Sequence, residues 1–487
     1  MIAAHPLLSC AEAKEFEAGL FAGGEEAEWP AMQNAGRAVA DAILRDFLEI
    51  GEFPENARVL VLAGKGHNAG DALIAARRLV ELYPLVRVEV VFVLGERALR
   101  PLAQRAWREL APVAVNRPRW TSRSYDVVID GVFGFPFHPP LDAATGFILR
   151  EVNALSVRLR AAVDLPSGLD DSSAFRADFT YATGIVKTPV LSLENAGRIR
   201  YLDLGFFETP PDPVCHLISD KPDRVVTASV LDPLRTLRSS RSDKRTYGHL
   251  FIVGGSSGYP GAVLMSVLAA LRGGTGLVTA FVPVSLAAAF AARVPEAMWV
   301  GWPETPEGGL ALEGLYLLRE RLARADALLV GPGLGREPET LAMVRDLVRH
   351  SAVPLVIDAD ALQTDIVAMG SAPRILTPHA GEYARIERAI SADTVTIYKG
   401  PITRVQAKGI AYHSFYGGPV LARGGSGDLL AGLTAGLLAQ TPADPVGVAC
   451  RAAVWHGMAA DELARTRGQV AVTTTQLLDF LSVVLRR

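Results

Sequence analysis

The sequence is poor in several things that would announce a function at once. Its 487 residues include three cysteines, Cys10, Cys215 and Cys450, far apart and odd in number. That pattern argues against a disulfide framework and against a CxxC metal site. No charge sign dominates: 49 Lys and Arg stand against 52 Asp and Glu, a formal net charge of −3. Without a basic field, nonspecific nucleic-acid binding has no electrostatic support. Hydrophobic residues make up 49% and charged ones 21%, so the chain is neither disordered nor collagen-like in composition. No internal repeat or low-complexity tract stands out. The first residues hold no basic region followed by a long apolar core, and a cytoplasmic protein is expected. Leu7-Leu8-Ser9-Cys10 mimics a lipoprotein cleavage box, but no apolar segment precedes it. The uncharged stretch Gly273 to Ala292 holds three glycines and Pro283. It reads as a buried strand and an Ala-rich helix rather than a membrane span.

What the chain does have is glycine, 45 residues gathered in clusters, and 31 prolines. Short Val/Ile/Leu runs alternate with amphipathic stretches. In the first half they fall at 58–63, 86–94, 126–130 and 161–164. In the second they fall at 249–253, 277–282, 327–330, 354–358 and 394–398. Continuous apolar strands separated by helices predict parallel sheets covered on both faces, in doubly wound three-layer α/β domains. The proline-rich Glu208–Val214 and the Arg- and Ser-rich 235–245 suggest a boundary between two domains, expected at 1–215 and 225–487. The basic segment suits a solvated linker better than a phosphate site. In such sheets ligands bind beyond the carboxyl ends of the strands, so the residues just past each strand matter most.

The first strand leads into Gly64-Lys-Gly-His-Asn-Ala-Gly-Asp71, with a helix expected over 72–82. Glycines at a helix start expose N–H groups that attract phosphate. Gly64-x-Gly66-x-x-Ala69 also fits a loose dinucleotide fingerprint, though without an acidic ribose partner for an NAD dehydrogenase. No Gly-Lys-Ser/Thr closes it as a P-loop. Other strands end at Asp130, before Gly131-Val-Phe-Gly134, and at Asp164, before Leu-Pro-Ser-Gly-Leu-Asp170. Asn68, Asp130 and Asp164 thus share one sheet edge. Asn, Asp and Ser oxygens suit a hard cation, and a free carboxylate can shuttle a proton.

Trp29–Ala38, the 64–71 segment, Asp130–Gly134 and Ala162–Asp170 follow one order. Over about residues 5–210 they resemble the Rossmann-like epimerase domain of the bifunctional NAD(P)H-hydrate repair enzymes. The resemblance implies Asn68, Asp130 and Ser167 as potassium-site residues. It implies Asp164 at the hydrated ring, in proton transfer. It also implies that His67, Asn68, Ala69, Gly70 and Asp71, with the segment after Gly134, hold the substrate's phosphates. The family usually has Asn-Asn-Gly-Gly-Asp-Gly where His67–Ala72 stands, and Thr-Gly where Phe135-Pro136 stands. Proline removes a donor, and a Cβ at 69 or 72 would crowd a close backbone approach.

In the second half, His249–Val253 runs into Gly254-Gly-Ser-Ser-Gly-Tyr-Pro-Gly-Ala262. Gly254-x-Ser256-x-Gly258 matches a hydrolase elbow, but Tyr259-Pro260-Gly261 delays the helix that an elbow requires. Further turns carry Gly331–Gly335, Asp358-Ala-Asp360, Leu376–Glu382 and Ile397–Thr403. The strongest signal is Arg423-Gly-Gly-Ser-Gly-Asp428 before an apolar helix. Its glycines would expose N–H groups to a transferring phosphoryl, and Asp428 can take a hydroxyl proton.

This set, with Trp455-His456-Gly457, is similar to the ribokinase-like dehydratase domain of the same enzymes over about 225–487. The resemblance implies Lys399, Gly400, Pro401, Ile402, Thr403 and Gly427 at an adenine nucleotide. Ala262, Gly333 or Gly335, His379 and Asp428 would face the hydrate. The co-substrate is expected to be ADP or ATP with Mg²⁺, and K⁺ to serve the first domain. Glu382 belongs to the motif without an assigned role. The expected function is epimerisation of hydrated NADH or NADPH and nucleotide-dependent dehydration of the S form. The rival is a ribokinase-like small-molecule kinase with a non-catalytic first domain. Small-molecule partners and a homo-oligomer are expected, with neither nucleic acid nor membrane.

Overall fold

The structure is a computed structural model that describes residues 2–134, 140–208 and 212–486. The chain divides into two compact units. One holds His5–Lys221 with Arg465–Gly468. The other holds the residues up to Ala4, Pro222–Ala464 and those from Gln469.

The first unit is built on a seven-stranded sheet. Across the sheet the strands run Ala114–Asn116, Arg87–Phe92, Arg58–Ala63, Ser124–Gly131, Ser156–Val163, Phe179–Thr183 and Arg198–Leu202. All their pairings are parallel. Counted along the chain this order is 3-2-1-4-5-6-7, the doubly wound order of Rossmann sheets. It reverses direction between Arg58–Ala63 and Ser124–Gly131, and a crevice opens beyond the carboxyl ends at such a switch point. The strands are apolar on both faces because both are covered. Val59, Val61 and Ala63 enter one buried cluster, and Leu60 and Leu62 the other. The Ala114–Asn116, Phe179–Thr183 and Arg198–Leu202 strands were not expected.

In the second unit, ten strands succeed one another across a sheet. They are Asp223–Val226, Ile410–Ser414, Thr403–Ala407, Val395–Tyr398, Arg374–Leu376, Leu355–Ile357, Ala327–Val330, His249–Val253, Leu277–Pro283 and Met298–Trp302. Leu250 and Ile252 point to one core cluster, and Phe251 and Val253 to the other. The all-parallel expectation fails at one place. Thr403–Ala407 pairs antiparallel with both neighbours. Lys408 and Gly409 join it to Ile410–Ser414, both at positive φ (50° and 78°). That is the backbone of a two-residue primed hairpin turn.

Gly273–Ala292 resolves into the strand Leu277–Pro283 and the helix Val284–Arg293. Among the described residues no helix is long and apolar enough to cross a membrane. Segment 235–245 is largely exposed, with Arg238 lying 3.8 Å over the Tyr247 ring.

Candidate active sites

In the first unit the helix begins earlier than its sequence suggests. It spans His67–Leu82, with Gly66 as its extended N-cap. Residues 67–71 are therefore its first turn and not a loop. Alanines at 69 and 72 favour helix where the family usually has glycine. Both methyl groups are fully buried in the core. Phe135 and Pro136 lie outside the described residues.

The polar ends of three strands meet here. Asn68 Nδ2 donates to the carbonyls of Val163 (2.8 Å) and Phe133 (3.3 Å). Asp130 accepts from the Ser167 backbone N–H (2.8 Å), from Ser167 Oγ (2.6 Å) and from the Val132 N–H (3.2 Å). Ser167 Oγ in turn accepts from the Phe133 N–H at 2.8 Å. Burial pushes the Asp130 carboxyl up to about 6, with these three donors pulling the other way. A Cβ on Gly134 would fall 2.4 Å from Asn68 Oδ1. Any larger residue at 134 would crowd that oxygen.

Asp164 comes just after the next strand, at φ +68°. A non-glycine residue held there is strained, a condition that clusters at functional sites. Its carboxylate lies 2.6 Å from Lys187 Nζ, which is 3.6 Å from Glu17. Lys187 is 2% exposed. Burial opposes its charge, but the carboxylates of Asp164 and Glu17 raise its pKa above the ordinary lysine value. Burial, with Asp164 and Glu17 beside it, holds the Asp71 carboxyl well above the usual range. Glu17, Glu28, His67 and Asp71 line a small open cleft. Sequence reasoning missed Glu17 and Lys187. The signal for Lys187 was a lone cation in the apolar Gly184-Ile-Val-Lys-Thr-Pro189 just after a strand.

In the second unit Asp428 sits in the first turn of the buried helix Ser426–Gln440, behind the left-handed N-cap Gly425 (φ +87°). Lys399 Nζ is 3.0 Å from Asp358 and 4.0 Å from Glu382. A Cβ on Gly427 would come within 3.1 Å of that same nitrogen. Asp358 also accepts from Thr377 Oγ1 at 2.6 Å. Burial, then Asp358, pushes the Asp428 carboxyl up to about 7, with Lys399 opposing. The glycine turn 331–335 packs on this cluster. A Cβ on Gly331 would lie 1.8 Å from the Asp358 carbonyl, and the Gly335 N–H donates to Asp360 at 3.1 Å. At Gly333 a Cβ would sit 3.1 Å from that of Ala262.

His379 caps the short helix after Leu376: its Nδ1 accepts from the Gly381 N–H at 3.1 Å. Glu382 completes the box by accepting from the His379 N–H at 2.9 Å. Its role is thus to fix this turn and face Lys399. Gly400 and Pro401 lie exposed in the hairpin turn, with Ile402 and Thr403 partly so. His456 is buried, which pushes its imidazole down to about 4. Ser256 Oγ donates to the Gly333 carbonyl and the next helix starts only at Pro260, so the elbow motif builds no hydrolase.

Two families match the chain. Residues 30–188 match the family described as YjeF-related protein N-terminus, and residues 250–482 that described as NAD(P)H-hydrate dehydratase. A bifunctional NAD(P)H-hydrate repair enzyme of Moorella thermoacetica is 34% identical, covering 93% of this chain and 92% of its own length. The chain belongs to the bifunctional NAD(P)H-hydrate repair family. Another member, from Gloeobacter violaceus, is 35% identical, covering 94% of this chain and 93% of its own. Among solved structures, the ADP/ATP-dependent NAD(P)H-hydrate dehydratase of Bacillus subtilis, co-crystallized with ATP/Mg²⁺, is 28% identical. It covers 52% of this chain and 93% of that chain, with a TM-score of 0.44. Membership accounts for both halves, whereas the rival kinase reading leaves the first without a role.

Proposed function

We propose that residues 1–215 form an NAD(P)H-hydrate epimerase and residues 225–487 a dehydratase that uses ADP or ATP to return the S hydrate to NADH or NADPH. The observation that carries this reading is Asp428: a carboxyl near 7 on a glycine-opened helix end, beside Lys399. Hydroxide is a poor leaving group, so water is lost slowly from the hydrated ring. Phosphorylating the ring hydroxyl makes it a good one. Asp428 accepts the hydroxyl proton, and a base near neutral pH suits that task. The N–H groups of the 424–427 segment and Lys399 orient and offset the transferring phosphoryl's charge. Ala262, Gly333, Gly335 and His379 bound the hydrate's side of the site, and Lys399–Thr403 with Gly427 the nucleotide's.

Mg²⁺ would neutralise phosphate charge. Among the described residues no group of three His, Cys, Asp or Glu is arranged to hold a metal, so it fits as the nucleotide's counter-ion. The Asn68, Asp130 and Ser167 oxygens fit K⁺ better than a divalent ion, because they bring one carboxylate among neutral donors. A larger residue than glycine at 134 would crowd Asn68 Oδ1.

The test is to supply the mixed hydrates with Mg²⁺ and ADP or ATP and follow the reduced-nicotinamide absorbance. Nucleotide-dependent regain is expected; none would end the dehydratase reading. Resolving the epimers tests the first unit, where consumption of the R form is expected.

A further inference from the structure

The segment 67–71 carries a feature that phosphate binding does not explain. Asp71 is four residues from His67 on the same helix, so both share one face, and both line the small cleft. Asp71 is 8% exposed. Among the described residues its carboxyl has no hydrogen-bond partner. The groups that face it come from every neighbouring element. Glu17 comes from the helix Cys10–Leu20, Glu28 from Glu25–Phe47, Asp164 from the end of a strand and Lys187 from the segment beyond it. Two carboxyls, Glu17 and Asp164, thus hold one buried ammonium, and the Asp71 carboxyl stands beside them without an ion pair of its own. A phosphate would meet repulsion there, and a carboxyl that lacks a cation of its own keeps its proton.

We propose that Asp71 is the proton donor of the epimerase site, lending and recovering the proton that lets the hydrate's ring hydroxyl leave and return. This rests on the epimerase reading above. The hydroxyl sits on the ring carbon bonded to the ring nitrogen. Asp71 passes its proton to the hydroxyl oxygen. The C–O bond breaks with its electron pair on oxygen, and water departs. The nitrogen lone pair forms C=N⁺, and Asp71 is left as carboxylate. Water then adds to the other face through its own lone pair. The C=N π pair returns to nitrogen, and the surplus proton, released on the opposite face, is relayed through solvent back to Asp71. The carbon is inverted, with no net change in protons, electrons or water. Lys187 holds Asp164 in place beside this exchange and is a positioning residue.

The experiment uses the full chain and Asp71→Asn, which keeps the shape and removes the acid. Infrared spectra near neutral pH read the C=O stretch of a protonated buried carboxyl. Asp428, near 7, contributes to both proteins, so the reading is the difference spectrum: one such band is expected to be lost between the wild type and the variant. With resolved R hydrate, kcat should fall ~100-fold or more while KM changes less than about threefold. Dehydration of the S hydrate, the other unit's reaction, should be unchanged, and a wild-type near-ultraviolet circular dichroism spectrum shows that the first unit of the variant folds. Asp71→Glu should recover part of kcat. A KM rise with kcat retained would overturn the proposal in favour of a binding role, as would the absence of the carboxyl band from the difference spectrum. A wild type that leaves the R hydrate untouched would overturn the epimerase reading, and this role with it. A failure confined to Asp71→Asn overturns the role alone.

Discussion

Replacing Asp428 by asparagine should separate catalysis from stability, in opposite directions. Its carboxyl is raised from 3.8 to about 7, first by burial and then by Asp358. At 1.36 kcal/mol per pKa unit, a shift of about three units corresponds to roughly 4 kcal/mol. Asp428 is only partly buried, so solvent screening brings this nearer 2–3 kcal/mol. Linkage sets the sign. Below pH 3.8 the folded and unfolded chains both hold the proton, and the group has no effect. Between 3.8 and about 7 the unfolded chain releases it while the folded chain keeps it, so stability falls as pH rises. Above 7 the full cost is present. The asparagine amide does not titrate. The variant should therefore match the wild type near pH 4 and exceed it by about 2–3 kcal/mol at pH 8, read by urea unfolding at both values. Its dehydration rate should fall by ~10²–10⁴, the usual contribution of a positioned base. Wild-type dehydration should rise with pH through about 7. A variant less stable than wild type at pH 8, or one that keeps its rate, would refute the account of this carboxyl.

Three other substitutions test the architecture. Lys187→Met leaves the Asp164 and Glu17 carboxyls without their buried cation and should cost about 3–5 kcal/mol in denaturant unfolding; a loss under 1 kcal/mol would mean the pair is not buried as described. Gly134→Ala puts a methyl 2.4 Å from Asn68 Oδ1; epimerase activity and any K⁺ dependence should both drop, while dehydration of the S form is untouched. Gly432→Ala would place a Cβ 2.1 Å from the Ser266 carbonyl, in the contact between helices Ser426–Gln440 and Pro260–Arg272. Overpacking of about 1–3 kcal/mol is expected, visible as a lowered Tm.

Strands buried on both faces were legible because their apolar runs are continuous and bounded by Gly, Pro and Asp. Arg58–Ala63, His249–Val253 and Ala327–Val330 have the expected limits. Arg374–Leu376 was missed because three residues make no run. Thr403–Ala407 and Ile410–Ser414 were missed because they mix polar and apolar residues, and their Lys-Gly turn was not read as a hairpin signal. The start of the 67–82 helix was misplaced because glycines at 64, 66 and 70 suggested a longer loop.

Local spacing alone placed Asn68, Asp130 and Asp164 at one sheet edge, and Asp428 behind its glycines. Strand periodicity and motif order are local properties, so they survive in a linear text. Only the tertiary structure decided what each charge faces. Glu17 is distant in sequence from Lys187, and Glu382 and Asp358 come from elements other than that of Lys399. Whether a carboxyl holds its proton depends on burial and on such long-range partners, and no window of sequence contains them.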